Sequence, residues 1–443
     1  MFIRFSDVLN NLLKETYMTT FHDLGLPGDI LATLDNIGFT TPTPIQEQAI
    51  PVALAGHDIL GSAQTGTGKT AAFVLPMIKH LTGNPASTAL ILLPTRELAQ
   101  QVQDSCRLML GRRAAIKSAL LIGGAGMSAQ LRELKQSPRV IIGTPGRIND
   151  HLVRRSLSLK DTDFLVLDET DRMLDMGFGI QLDQIVKFLP KERQTLMFSA
   201  TLPANILNLV RKYQKAPVRI AIGTANQAAA NIRQELIKTS DTGKYGELLK
   251  QIKELDGSML IFVKTKYAAE RLSRRLNKAN EQCLAIHGDL RQAKREHVIA
   301  DFRQQKCRIL VATDIAARGL DIPHIQSVVN YDLPQCPEDY IHRIGRTARA
   351  GAAGTAVNLL TPKDAAKWKA IHKLMNPSSR DKKMLFEGDA PVSAEPLASL
   401  SPKKPKAKMN GKNPFKPFAP DKRNRRPQSS APQAKRSHKT NGR

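Results

Sequence analysis

The sequence is short of cysteine. Four are spread over 443 residues (Cys106, Cys283, Cys307, Cys336), and no two form a C-x-x-C pair. That spacing disfavours a zinc site or a disulfide framework and fits a reducing cytoplasmic compartment. No two histidines stand in the H-E-x-x-H arrangement of a helical zinc site. Long apolar runs are also missing: none approaches the ~18 residues of a membrane helix. The stretch MFIRFSDVLNNLLKE carries Asp7, Lys14 and Glu15 where a secretory leader needs apolar residues, so export is not expected. Acidic residues are the third shortage. Lys and Arg number 66 against 40 Asp and Glu, a net charge of +26. An excess of this size points to a polyanionic partner, most often nucleic acid; a basic surface without a partner is the plainer alternative.

What is present organises the chain. At roughly 150 residues per domain, the length suggests two or three units with ample core. Residues 401–443 hold nine Lys and five Arg against the single acid Asp421, so they carry +13, half of the total. They also hold seven prolines and few apolar groups. Such a segment buries too little surface to offset the entropy of ordering, and residues 377–443 read as a disordered basic tail. The body alternates short β-branched runs with helical stretches. Strands are expected at 58–60, 89–93, 139–143, 163–168, 195–200, 258–263, 308–313 and 327–331. Near-continuous apolar strands separated by helices indicate parallel sheets covered on both faces, an α/β fold. The polar stretch GTANQAAANIRQE at 223–235 breaks the pattern. The chain therefore divides into an extension at 1–18, a first α/β domain at 19–222, a linker at 223–232, a second domain at 233–376 and the tail. Met18 directly precedes TTFHDLGL, so residues 1–17 read either as an amphipathic extension or as lying upstream of the true start.

The strongest local signal is AQTGTGKT, running through Ala63, Gln64, Thr65, Gly66, Thr67, Gly68, Lys69 and Thr70. It follows a strand and opens a helix. Its glycines let the backbone wrap a phosphate, with N–H groups and a helix N-terminus facing the negative charge. Lys69 can reach the β- and γ-phosphates, and the Thr70 hydroxyl can ligate magnesium. Ala63 replaces the first glycine of the strict phosphate-loop pattern. The second signal is FLVLDETD, an apolar strand ending in Asp168, Glu169, Thr170 and Asp171. A strand tip of a parallel sheet is where α/β ligands bind. There Asp168 suits magnesium, through water, and Glu169 suits a base that orients the attacking water. Alone, these acids read equally well as helix caps; beside a phosphate loop, the nucleotide reading is preferred.

Taken in order, the motifs resemble the DEAD-box RNA helicases of superfamily 2, from about Phe21 to about Thr361. The first half has GFTTPTPIQ (38–46), AQTGTGKT, PTRELA (94–99), GG (123–124), TPGR (144–147), DETD (168–171) and SAT (199–201). The second has LIFVKT (260–265), HGDLRQAKR (287–295), VATDIAARGLDI (311–322) and HRIGRTAR (342–349). The resemblance implies two RecA-like domains in tandem, binding ATP between them and RNA across both. It implies that Phe39 stacks on adenine, that Gln46 bonds its edge, and that Asp321 contacts the ribose. Arg346 and Arg349 match arginine fingers delivered from the second domain, whose own Gly243-Lys244-Tyr245 is not a phosphate loop. Ser199 and Thr201, held by Asp171, match the element that couples hydrolysis to domain movement, with His342 and Arg343 answering from the other side. The implied RNA contacts are Thr95, Arg96, Gly124, Thr144 and Arg147 in the first domain, and Gln292, Arg295, Thr313 and Arg318 in the second. Such contacts to phosphate and sugar position a strand without reading its sequence, and the 2′-hydroxyl marks it as RNA.

Two positions depart from the family pattern: Thr170 stands where Ala is usual, and Ala348 where Gly is usual. The Thr170 hydroxyl can form an extra bond. If position 348 needs positive φ, Ala there costs roughly 1 kcal/mol. The function expected is an ATP-dependent RNA helicase that uses ATP and Mg²⁺ and opens short duplexes or remodels RNA–protein assemblies. Ribosome assembly or RNA turnover in a bacterium is the implied setting, with ribosomal precursors or RNA-decay proteins as partners and the basic tail as an auxiliary RNA anchor. The alternatives are a nonenzymatic RNA chaperone or clamp, and a DNA translocase of the same superfamily.

Overall fold

The computed structural model describes residues 19–63, 66–111, 116–202, 204–222, 231–317, 319–320, 322, 324–348 and 353–376. The expected extension 1–18, the linker up to residue 230 and the tail 377–443 lie outside the described residues. So do Gln64, Thr65, Arg318, Asp321 and Arg349.

The described strands form two sheets. The first contains β1 (Ile59–Ser62), β2 (Thr88–Leu92), β3 (Ser118–Leu121), β4 (Val140–Gly143), β5 (Thr162–Leu167), β6 (Gln194–Ser199) and β7 (Val218–Ala221), in the order β3-β4-β2-β5-β6-β1-β7. The second contains β8 (Ile232–Lys238), β9 (Ser258–Phe262), β10 (Cys283–Ile286), β11 (Ile309–Ala312), β12 (Ile325–Asn330) and β13 (Gly354–Leu360), in the order β10-β11-β9-β12-β13-β8. Every pairing in both sheets is parallel. These are the two RecA-like lobes.

Side chains alternate across a strand, so a sheet covered on both faces needs apolar residues at consecutive positions. In the first lobe Ile91, Ile142, Val166 and Phe198 pack into one core, while their neighbours Leu92, Ile141, Leu167 and Met197 pack into the other. The second lobe repeats the arrangement, with Leu260 and Leu310 on one side and Ile261 and Val311 on the other. Gly61 of β1 serves this packing, because a Cβ there would meet the Phe198 ring at 2.5 Å.

Crossover helices connect parallel strands, so every strand of a lobe ends at the same edge. The phosphate loop follows β1, PTRE follows β2, GG follows β3, TPGR follows β4, DETD follows β5, and SAT spans the end of β6. The sheet thus gathers motifs spread over some 140 residues of sequence onto one rim. One boundary differs from expectation. The polar stretch at 223–235 ends inside a strand: β8 begins at Ile232 and pairs with β13 along its whole length.

A candidate ATP site and RNA-contact surface

The phosphate loop is built as its glycines suggest. Gly66 and Gly68 take φ of +85° and +89°, a region closed to most side chains, and Gly68 caps the helix Lys69–Gly83. Lys69 is buried. Its Nζ donates to the Ala63 carbonyl at 2.9 Å and lies 3.8 Å from Asp168 Oδ1. Gln46 is buried beside this loop. Its Oε1 accepts the Thr43 N–H at 2.8 Å, and its Nε2 donates to the Gly68 carbonyl at 2.9 Å. An amide carries two N–H groups and two lone pairs, so one of each remains for a nucleobase edge. Phe39 is half-buried and stacks on Phe21, with ring centroids 6.3 Å apart.

The DETD turn is strained and dry. Glu169 has φ +48° and ψ +49°, left-handed for a non-glycine residue, and such strain collects where the surroundings over-determine a functional turn. Its Oε1 is buried with no hydrogen-bond partner, an arrangement natural proteins seldom leave without a use. Asp168 accepts the Glu169 N–H at 2.9 Å. Burial pushes its carboxyl up to about 6, against the pull of Lys69 and with the push of Glu169 and Asp171. Thr170 supplies the extra bond its hydroxyl allows, donating to the Leu167 carbonyl at 3.2 Å. No group of three or more His, Cys, Asp or Glu among the described residues could hold a metal ion. Asp168, which lies beside Lys69, and Thr70, the next residue along, offer a carboxylate and a hydroxyl, which fit the sparse oxygen set that magnesium takes when phosphates and water supply the rest.

Asp171 faces the SAT segment. One of its oxygens accepts the Ala200 N–H at 3.1 Å, the Thr201 N–H at 3.0 Å and the Thr201 hydroxyl at 3.1 Å. Ser199 does not join this set: its hydroxyl donates to the Thr201 carbonyl, two residues past the end of β6, at 2.5 Å. Asp171 therefore holds one of the two expected hydroxyls.

In the second lobe, Arg343 is fixed from several sides. It makes a two-pronged pair with Asp314 at 2.5 and 2.7 Å, and it donates to Asn330 Oδ1 and the Asp332 carbonyl. Asn330 in turn donates from its side-chain amide to Asn358 Oδ1 across β12 and β13. Arg346 donates to the carbonyls of His342 and Leu320. His342, Arg343 and Arg346 line one small, open cavity together with Arg172, Asp314 and Asp339. Ala348 adopts φ +55°, the conformation that glycine would hold without cost. Lys244, next to the glycine that resembles a loop, is occupied by the Tyr331 carbonyl, Asp332 and Asp364.

The described residues expected to touch RNA lie after strand ends of both lobes, and some meet across the lobes. Arg96 donates to Gln292 Oε1 at 3.2 Å, and Arg295 pairs with Glu97 at 2.8 Å, both residues buried. Thr95 Oγ1 accepts the Leu98 N–H, and a Cβ on Gly319 of the second lobe would meet it at 2.6 Å. Gly124, at φ +80°, leaves room for the Arg96 guanidinium, which a Cβ would meet at 2.3 Å. Arg147 donates to the Ala125 carbonyl, and Thr144 caps its helix. Thr313 is half-buried at the end of β11, where its carbonyl accepts the Ala316 and Ala317 N–H groups. Burial holds the Arg96 guanidinium below its ordinary range; Glu97 pulls the other way, and the charges of Arg295 and Arg147 add to the fall. Positive groups crowded in this way make a ready seat for phosphate.

Models of two families match the chain: DEAD/DEAH box helicase over residues 43–209, and helicase conserved C-terminal domain over residues 243–351. The chain is 44% identical to the ATP-dependent rRNA helicase rrp3 of Aspergillus terreus, over 80% of this chain and 79% of that one. It is also 44% identical to the ATP-dependent RNA helicase CshA of Listeria monocytogenes, over 78% of this chain and 67% of that one. The chain belongs to the DEAD-box family of ATP-dependent RNA helicases. It spans 79% of the length of the Aspergillus relative and 62% of that of DEAD-box ATP-dependent RNA helicase 30 of Arabidopsis thaliana, which is 43% identical. Among solved structures, S. cerevisiae Dbp5 bound to RNA and ADP BeF3 superposes with a TM-score of 0.73 at 33% identity, covering 81% of this chain and 94% of that one. The helicase is thus an ATPase that acts on RNA, and neither a nonenzymatic clamp nor a DNA translocase is favoured. Among its described residues no helix is long and apolar enough to cross a membrane.

Reading the sequence alone missed Glu97, Arg172, Asp314 and Asp339 as members of the site. Glu97 and Asp314 lie inside motifs already recognised, Arg172 directly follows one and Asp339 stands three residues ahead of one, and that nearness of charge was the available signal.

Proposed function

We propose that the helicase hydrolyses ATP between its lobes with the following division of labour. Lys69 and the N–H groups from Gly66 to Thr70 hold the β- and γ-phosphates, with Gln64 and Thr65 of the same loop. Glu169 orients and deprotonates the attacking water. Arg346 and Arg349 bring positive charge to the transferring phosphoryl group, a contribution that can be worth ~10³–10⁵ in rate. Phe39 and Gln46 recognise adenine, and Asp321 the ribose. Thr70 and Asp168 are the residues to hold Mg²⁺, which when bound neutralises charge on the phosphate oxygens.

One observation carries this reading: a buried carboxylate oxygen of Glu169 without a partner, beside the buried Lys69–Asp168 contact at the strand rim. An acid that served only as a cap would spend that oxygen on a backbone N–H. In the same reading Thr95, Arg96, Gly124, Thr144, Arg147, Gln292, Arg295, Thr313 and Arg318 hold the RNA backbone. Asp171, Ser199, Thr201, His342 and Arg343 pass the state of the nucleotide to the lobe positions. The tail adds a sequence-blind anchor. Work on ribosomal precursors is supported by likeness to an rRNA helicase, and the cytoplasm as its place by the sparse cysteines without a C-x-x-C pair.

The test compares ATP turnover alone, with single-stranded RNA, and with DNA of the same sequence. Stimulation by RNA and not by DNA is expected. Equal stimulation by both would overturn the assignment of the RNA surface.

A further inference from the structure

Arg172 directly follows the DETD turn, in the helix Thr170–Asp175 of the first lobe. Asp339 lies in the first turn of the second-lobe helix Pro337–Ile344, which carries His342 and Arg343 and is followed by Arg346. The two side chains form an ion pair across the lobes. Arg172 is 3% exposed and Asp339 13%, so this is a largely desolvated contact. Arg172 is also tied to the water-activating turn through the backbone: its N–H donates to Asp171 Oδ1 at 3.0 Å, and the other Asp171 oxygen holds Thr201. Both members line the cavity that contains His342, Arg343 and Arg346.

From this geometry we infer that Arg172 and Asp339 are positioning residues for hydrolysis. The pair sets the register of the second-lobe helix against the Asp168–Glu169 turn, and so the place at which Arg346 arrives. Asp339 touches no reacting atom. It acts through the arginine it meets, and the contact exists only while the lobes are apposed. A buried ion pair adds little net stability once desolvation is counted, and its best-attested use is to fix register. Arg172 also meets Asp175 of its own lobe at 3.2 Å, but that carboxylate is half exposed, and a contact of this kind contributes little. Both contacts run through Nη1 of the same guanidinium, which is why Asp339 and Asp175 can be compared on one atom.

The inference rests on the catalytic reading above, so Glu169→Gln is run beside the test. Asp339→Asn is measured for ATP turnover at saturating ATP and RNA, and for the KM of each. Expected is a fall in kcat of about 10- to 10²-fold, the scale of an ångström-sized misplacement, with both KM values within about 3-fold. Asp339→Glu, which keeps the charge, should recover most of the loss. Asp175→Asn, on the same guanidinium but within one lobe, should stay within about 2-fold of the parent. The double variant Arg172→Gln/Asp339→Asn should lose no more than the worse single variant. Normal kcat in Asp339→Asn overturns the inference. So does a loss that vanishes at saturation, which would make the pair a mere clamp, or additive losses in the double variant. If Asp339→Asn unfolds early in a thermal melt, Arg172→Lys is read in the same assays, with a fall in kcat at unchanged KM expected and normal kcat overturning. Near-normal turnover in Glu169→Gln would sink the catalytic reading itself, whatever Asp339 does.

Discussion

Gln46 donates through Nε2 to the carbonyl of Gly68, 22 residues further along the chain, at 2.9 Å. The bond links the segment ahead of the first strand to the tightest turn of the phosphate loop. Gly68 must be glycine at φ +89°, and a Cβ there would come within 2.5 Å of the Gln46 amide nitrogen. In the reading proposed above, base recognition and the phosphate loop thus share one side chain.

Gln46→Glu removes the donor and retains the shape. The Glu oxygen can still accept the Thr43 N–H, but the Gly68 carbonyl loses its partner and faces a negative charge. Orphaning a buried bond costs about 1–3 kcal/mol, so the KM for ATP should rise roughly 10-fold or more. The KM for GTP should change less, because the adenine edge is no longer favoured. ATP and GTP turnover titrations check this, and an unchanged ATP KM would remove Gln46 from the site.

Glu169→Gln is nearly isosteric and leaves Asp168 in place. ATP and RNA binding should persist while kcat falls by at least ~10²-fold, since the water-orienting base is lost and the phosphate contacts are kept. Equilibrium binding of a nucleotide analogue together with steady-state turnover separates the two effects. Near-normal turnover would assign the water to another group.

The positive φ of Ala348 sets a third expectation. A left-handed conformation costs an L-residue about 1–2 kcal/mol, and glycine avoids that cost. Glycine also gains entropy in the unfolded chain, about 0.4–1 kcal/mol, and gives up a methyl that packs near Tyr340 and Trp368. The terms nearly cancel, so Ala348→Gly should leave stability within about 1 kcal/mol. Ala348→Val, β-branched in the same conformation, should be clearly less stable than either. Urea midpoints for the three side chains test the order; Val matching Ala would mean the backbone is free to leave positive φ.

The two lobes were legible in the sequence through their central strands. Runs such as ALILL and SMLIF are apolar at every position because both faces are covered. The strands that escaped notice are β3, β7, β8, β10 and β13. Four of these stand at sheet edges, where mixed burial gives mixed sequences such as VRIA and IRQELIK. β13 hides behind Asn358, a buried amide bonded to Asn330 and unreadable as a core residue from composition. The site itself was legible because its motifs end strands. Its cross-lobe pairs were not: Arg172 and Asp339 are 167 residues apart, and Arg295 and Glu97 are 198 apart. No local pattern records a contact of that separation.

The last prediction concerns the basic C-terminal residues. The described fold closes with the helix Ala365–Met375, so truncation after Asn376 leaves every described motif intact. ATP turnover at saturating RNA should therefore stay near the full-length value. The removed segment includes residues 401–443, with 14 basic residues against one acid. Each phosphate it neutralises releases counterions, giving ~0.7 in the log–log salt slope per contact on single strands. If about five of these charges engage RNA, the slope should shrink in magnitude by roughly 3–4, and affinity at low salt should fall with it. Phosphate contacts carry no direct sequence information, so unrelated RNAs should respond alike. RNA affinity measured from low to moderate salt, full-length against truncated, decides the matter. Superimposable curves would mean these residues do not touch RNA. A loss confined to one RNA would mean they read a particular structure, which a purely electrostatic anchor cannot do.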